Sequence, residues 1–410
     1  MKGLRAFSER WNYRLVVLVL FAALLAEVLS ITFWMQTLSI GTCRWIHYIS
    51  GGVLGLVILF AAQNKTAQQD SHQGISMLLL ILLFAWSAIR LYPLFDQNPL
   101  DHTKADMLPV IKVMAQRFLH WEKVYALIPE IWSGVMPVYM PALWLPFVPA
   151  VAAGLDLRWT SLVFLFLALV FLFRRVRANA GSLLVFLPAG LWMDYQINNR
   201  NETFVWSQEG VVYAYYILLV LGLYLKAHRL TGIVLACCLL SRYGILFYTG
   251  ALFLCFYLFE NRRAFFQIFI SASVTGIVLF TISGAWSYIP EFIRLPGVYL
   301  ENLQANPVKY HDLMKDALGF VPWSDPASYT SLYRWMVFLL ISLACWMVYL
   351  YKKNPHPFVL LGLLKLSLVL FYHFIPIPYT YLFHTSVWVS MAIFFVYCSQ
   401  WEENVYNFTE

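Results

Sequence analysis

The sequence predicts an all-α polytopic membrane bundle, and three observations carry that prediction. Apolar runs of roughly 17–20 residues recur along the chain, the length that crosses a bilayer core as a helix. Of the 410 residues, 61% are hydrophobic and only 12% charged, well under the charged share of a soluble domain, which is about a quarter. Basic residues gather in short turns and polar mass gathers in longer ones, as in a topology set by positive charge on the cytoplasmic side. No segment alternates with the period of two that a membrane β-barrel needs.

Helices are expected near 15–35, 45–62, 75–95, 158–173, 180–196, 211–226, 230–241, 244–259, 264–284, 335–351, 357–373 and 380–399. That makes about twelve transmembrane helices in a single domain, 1–410. The basic start, Met1 to Arg14, has no small-residue cleavage site after its apolar run and reads as the cytoplasmic end of a retained first helix. With that end inside, Lys65, Arg174/Arg175/Arg177, Lys226/Arg229, Arg262/Arg263 and Lys352/Lys353 all fall on the inner face, and both termini are cytoplasmic. The agreement requires the apolar run 136–154 to re-enter or lie in the interface. Pro146, Pro149 and Gly154 suit such a broken segment. The run 230–241 is also short for a crossing at about 1.5 Å per residue.

The long polar segments 96–135, 194–210, 285–334 and 374–380 then lie outside, which predicts a protein that works at its outer face. The excursion 96–157 holds an interfacial helix and the re-entrant run, and 285–334 is the large second loop. The six cysteines form no C-x-x-C pair and no disulfide framework, so they read as packing residues. A net charge of +7 is a topology signal here, because nothing aromatic and basic resembles a nucleic-acid surface.

Charged and polar residues in apolar surroundings are the candidates for chemistry. Asp96, Asp101 and Asp106 follow an apolar run, and 107–121 has apolar residues at helical spacing with Lys112 and Arg117 between them. Asp106 at the start of that helix is either its N-cap or a carboxylate base at the lipid–water boundary. Arg242, at the outer end of a short helix, either holds a phosphate or snorkels to headgroups. Arg90 has the same two readings, with Asp96 as an alternative partner. His373 and His384 flank the last outer loop with Tyr379; they either pack or touch phosphate or sugar. The amide- and carboxylate-rich stretch holding Asn201, Gln208 and Glu209 has the mixture that binds sugar hydroxyls, or is a solvated loop. Glu27 and Lys365 lie within expected helices, as buried contacts that hold the bundle together.

An Asp after an early helix, an amphipathic segment, a Tyr about twenty residues on and Tyr-x-Pro entering an apolar run form a series. It resembles the GT-C membrane glycosyltransferases, and most closely glycosyltransferase family 87, the mannosyltransferase-like group. The matching residues are Asp106, the 107–121 helix, Tyr125 at the end of His120-Trp121-Glu122-Lys123-Val124-Tyr125, and Tyr139-Met140-Pro141. The family's Gly-x-x-Pro before the Tyr is replaced by Trp121 to Val124, and its Tyr-Pro-Pro by Tyr-Met-Pro. The resemblance implies a polyprenyl-phosphate sugar donor, a lipid, glycan or protein acceptor, no metal and no cofactor, and a site on the outer face of a bacterial plasma membrane. It puts Asp106 in the position of the catalytic base, with Asp101 as its rival. The donor phosphate would meet Arg242, Arg90 and His384, and the substrate would meet Tyr125, Tyr139, Asn201, Gln208, Glu209, His373 and Tyr379. Two rivals are a transporter or lipid-linked-saccharide flippase, which calls for charges at mid-membrane, and an enzyme like the O-antigen polymerases or ligases, which calls for more arginines in 285–334.

Overall fold

The computed structural model describes residues 13–61, 72–103, 105–132, 134–198, 203–306, 317–323, 328–376 and 379–399. Within them the chain is helices and turns, with one isolated bridge between Ile128 and Val135. In chain order the helices are α1 Tyr13–Thr32, α2 Ile40–Ala61, α3 Gln73–Gln97, α4 Met107–Leu119 and α5 Pro141–Ala152. They continue as α6 Arg158–Arg175, α7 Phe186–Asn198, α8 Glu209–Tyr224, α9 His228–Leu239 and α10 Leu246–Phe259. The last are α11 Arg262–Ser283, α12 Ile289–Ala305, α13 Tyr329–Lys353, α14 Pro357–Phe374 and α15 His384–Ser399.

Among the described residues, seven helices are long and apolar enough to cross a membrane: α1, α2, α3, α11, α13, α14 and α15 with the turn before it. Of the twelve expected spans, these seven meet that measure and five are shorter or more charged. α6 carries Arg158, Arg174 and Arg175, and α7 has 13 residues. α9 has 12 residues, a rise of about 18 Å against a hydrocarbon core of about 30 Å. α8 is buried on nearly every side from Glu209 to Leu223. A short helix enclosed by protein has its ends satisfied by protein, so it need not reach both interfaces. α5 is a pair of short helical pieces joined by a 3-10 turn at Leu145–Phe147, with Pro146 and Pro149 near its breaks. Its twelve residues are likewise too few to span.

Two expected loops are partly helical. The segment 285–334 contains α12, an amphipathic helix that buries Phe292 and Leu303. In the stretch 194–210, expected either to bind sugar hydroxyls or to be a solvated loop, α7 runs on to Asn198, one helical turn covers Thr203–Trp206, and Gln196, Gln208 and Glu209 are all fully buried.

α8 is the axis of the main core, packed by α6, α9, α14 and α15. A second core sits over it, made by α4, the chain 124–131, α5, Tyr288 and Phe292. Tyr139 packs against both cores, which puts it at the seam.

Close helix crossings depend on glycine in two places. Gly210 lets α8 touch the Ser161 backbone of α6 beside Glu209. On α14, a Cβ at Gly362 would lie 2.8 Å from the Gly55 carbonyl oxygen and 3.1 Å from the Leu59 nitrogen, both backbone atoms of α2. Gly362→Ala is therefore expected to push α2 and α14 apart and cost about 1–3 kcal/mol. Gly52→Ala, with open space around its Cβ, is expected to be neutral or to stabilise by up to about 1 kcal/mol. Thermal unfolding of the two variants in one detergent checks the contrast.

Candidate functional site

The site begins where α3 leaves the bundle. Arg158, buried at the start of α6, donates to the Asn98 and Phe95 carbonyls at 2.6 and 2.8 Å. Its other donors grip both Asp156 oxygens at 2.8 and 2.5 Å, and the guanidinium lies 4.2 Å from the Phe95 ring centre. These contacts satisfy carbonyls that a helix end leaves without partners, and they set the direction in which the chain runs toward the aspartates. Asp101 is used locally: one of its oxygens accepts from the Thr103 N–H at 2.9 Å and the Thr103 hydroxyl at 2.8 Å. That is an Asx-type turn, which gives this rival carboxylate a structural task. Asp96 is exposed at the end of α3.

Asp106 precedes α4, yet its side chain makes no capping hydrogen bond. The capping alternative is thus not realised. The carboxylate is half-buried at the edge of the outer core, and burial pushes its pKa above the ordinary value, opposed in part by its own backbone N–H. α4 is held by the apolar face Leu108, Val110, Ile111, Met114 and Ala115, all buried. Arg117 near its end donates to the Ala126 and Leu127 carbonyls at 2.6 and 2.8 Å and folds the next segment back.

That return brings Tyr125 under Tyr139. The Tyr125 hydroxyl donates to the Tyr139 carbonyl at 3.1 Å and accepts from the Trp144 indole at 3.0 Å, with its ring stacked on Tyr288 at 4.9 Å. Both hydrogen-bonding roles of this hydroxyl are taken. Tyr125, expected to meet substrate, holds the Tyr139 backbone through this hydroxyl. The Tyr139 phenol is held well above its usual pKa, first by burial and then by the Asp106 carboxylate nearby.

Across Tyr139 lies Arg242, between α9 and α10, with Glu209 at the first turn of α8 as its salt-bridge partner. Glu209 is fully buried and Arg242 is 19% exposed. Sequence spacing offered a phosphate or a headgroup as partner and missed this pair. A signal was there: a carboxylate heading a helix that is apolar all round needs a buried cation, and Arg242 stands alone between two apolar helices. Arg242 and Tyr139 line a cavity of about 350 Å³. Its walls are otherwise largely apolar, with Leu143 of α5, Leu295 and Leu300 of α12, and Phe371 of α14 among them. The charges of Arg242 and Asp106 both reach the Tyr139 and Tyr381 hydroxyls. The chamber is thus lined by a cation and the Tyr139 phenol, while Asp106 and Tyr381 lie within electrostatic reach of Tyr139 without lining the chamber.

Other expected site residues lie elsewhere. Arg90 is on the exposed side of α3, its guanidinium 5.8 Å from the Trp86 ring centre, and does not line the cavity. His373 is buried, with Nδ1 2.8 Å from the Val369 carbonyl and its ring stacked on His47 at 5.4 Å. It packs α14 against α2. His384 is fully buried, with Nδ1 3.0 Å from the Gln196 amide nitrogen and its ring edge-on to Trp192 at 4.7 Å. It is set apart from the chamber wall. Tyr379 is 51% exposed and stacks on Tyr381 at 5.4 Å. Asn201 lies outside the described residues. Among the described residues, no group of three or more His, Cys, Asp or Glu is arranged to hold a metal ion. Comparison with family models, with curated sequences and with solved structures gives no match.

Proposed function

We propose that the protein is a membrane glycosyltransferase of the GT-C kind, moving a sugar from a polyprenyl-phosphate donor to a lipid, glycan or protein acceptor at the outer face. The observation that carries this reading is the apolar chamber lined by Arg242 and Tyr139, with Asp106 within electrostatic reach of Tyr139. An apolar wall suits a polyprenyl chain, and a guanidinium presents a rigid fork of donors to a phosphate. Glu209 keeps Arg242 aimed, because a buried carboxylate without its cation would be costly. The acceptor O–H gives its proton to Asp106 as its oxygen bonds to the anomeric carbon from the face opposite the phosphate. The anomeric C–O bond breaks, the pair stays on the phosphate oxygen, and polyprenyl phosphate leaves with Arg242 stabilising its added charge. The product anomer is inverted.

The test is transfer of radiolabelled sugar from a panel of polyprenyl-phosphate donors by the purified protein in lipid nanodiscs. Wild type is expected to transfer, and Arg242→Gln to lose roughly 10²–10³ in rate. The double variant Arg242→Gln/Glu209→Gln removes the buried unpaired carboxylate, so it is expected to recover stability without recovering rate. Full transfer by the double variant would remove Arg242 from the reaction.

A transport reading has one observation in its favour, the fully buried Glu27–Lys365 pair inside the bundle. Lys365 also meets the Ser386 hydroxyl at 2.6 Å, and Glu27 accepts from Ser390 at 2.7 Å. Charges with this many fixed partners, drawn from α1, α14 and α15, tie helices together more readily than they pass a cargo.

A further inference from the structure

Behind Arg242 the structure gathers more polar atoms than it pairs. The second Glu209 oxygen, the Tyr216 and Tyr372 hydroxyls, the Thr385 hydroxyl, the Gln196 oxygen and the His384 Nε2 are all buried with no hydrogen-bond partner. Buried polar groups are nearly always paired, so a contiguous set of exceptions calls for an explanation. Arg242 and Tyr372 line the same chamber, Glu209 is the salt-bridge partner of Arg242, and Tyr216 is buried on the same helix as Glu209, about two turns on. The Tyr372 and Thr385 side chains lie close enough to interact. Gln196 joins the set to α8, its amide nitrogen 3.2 Å from the Tyr213 hydroxyl, and to His384 at 3.0 Å.

Aromatic rings wall the same region: Trp192 beside His384, and Tyr213 6.1 Å from Trp388. Free hydroxyls, a carboxylate oxygen and an amide oxygen among ring faces match a polyhydroxylated ring, whose O–H groups donate and accept while its C–H face lies on an aromatic. Tyr372 belongs both to this cluster and to the wall of the 350 Å³ chamber, so the two are joined at Arg242.

We infer that this buried cluster is the sugar subsite of the donor, with Tyr372 and Tyr216 reading sugar hydroxyls just beyond the phosphate held by Arg242. This rests on the donor class proposed above. It orders the ligand along one line: lipid chain in the apolar chamber, phosphate at Arg242, sugar in the cluster beyond it. Sugar selectivity then resides on α8, α14 and the start of α15, away from the outer loops.

The test is equilibrium binding of farnesyl phosphate and of its mannosyl, glucosyl and galactosyl esters to the purified protein in nanodiscs. Wild type, Tyr372→Phe, Tyr216→Phe and the double variant are compared. Each substitution removes one hydroxyl and keeps the ring, so folding is expected to survive; thermal unfolding midpoints verify it. At least one glycosyl ester should bind wild type more tightly relative to farnesyl phosphate than it binds the variants. That ratio should fall about tenfold per hydroxyl, the worth of one good hydrogen bond to a charged or well-aligned partner, while farnesyl phosphate itself is unchanged. Taking the ratio cancels the difference in phosphate charge between ester and free phosphate. If farnesyl phosphate and all its esters fail to bind wild type, the donor class itself is wrong. If farnesyl phosphate binds wild type but the ratio is the same in every protein, the sugar subsite is wrong and the donor class stands.

Discussion

Asp106→Asn is expected to lower sugar transfer by roughly 10²–10⁴-fold, the usual contribution of a positioned general base, with little change in fold or donor binding. The geometry favours a large effect on rate and a small one on stability. The side chain caps nothing in α4, so its replacement removes no hydrogen bond from the helix start. Asp101→Asn should behave oppositely: it weakens the turn at Thr103, whose N–H and hydroxyl its carboxylate accepts, and leaves the rate within a few-fold. The pH profile adds an independent check. Burial raises the Asp106 pKa above its ordinary 3.8, and a base works only when deprotonated. Activity should therefore fall as pH drops through a pKa higher than that of a solvated aspartate. Rates of the two variants, with a wild-type pH–rate profile, decide between them; equal losses in both would remove Asp106 from its special position.

The second large effect concerns stability. Glu27 and Lys365 are both fully buried and bonded to each other, with Ser386, Ser390 and His47 around them. Lys365→Met leaves the Glu27 carboxylate buried without its cation, which should cost about 3–5 kcal/mol. Glu27→Gln/Lys365→Met removes both charges and should be markedly less damaging than the single change, because the penalty lies in the charge left alone. Thermal unfolding in detergent measures both. A single variant within about 1 kcal/mol of wild type would mean that the pair is not desolvated as the structure has it. This cycle also bears on transport: a structural tie predicts that the double variant keeps sugar transfer.

Helix positions were the most legible part of the sequence, because apolar run length and Pro and Gly breaks speak directly to local structure. The expected 357–373 became Pro357–Phe374, and 264–284 became Arg262–Ser283. Spanning was less legible. α8, α9 and α10 look like membrane helices by composition but are short, and only the packing of α8 inside the bundle explains how that is tolerated. α12 was missed since its amphipathic pattern is interrupted by Pro296. Part of 194–210 was less legible, because the amides and the carboxylate that could read as solvated are buried at Gln196, Gln208 and Glu209, and one contact, Gln196 with His384, joins residues far apart in sequence.

The site was legible in its anchors and illegible in its pairings. Asp106 and Arg242 stood out as lone charges beside apolar runs. Glu209 as the partner of Arg242, and Tyr372 as wall of the chamber, depend on α8, α10 and α14 meeting in space. Tyr125 was read as a substrate contact, and its pairing with the Tyr139 carbonyl and the Trp144 indole depends on a fold-back the spacing does not show.

The most direct measurement follows both ends of a doubly labelled donor, sugar and lipid, with the purified protein in sealed vesicles. A glycosyltransferase separates the labels: polyprenyl phosphate accumulates one for one with glycosylated acceptor, the new linkage has the inverted anomer, and Asp106→Asn stops both. Movement of intact donor between leaflets, with its glycosyl bond uncleaved and no dependence on Asp106, would contradict it.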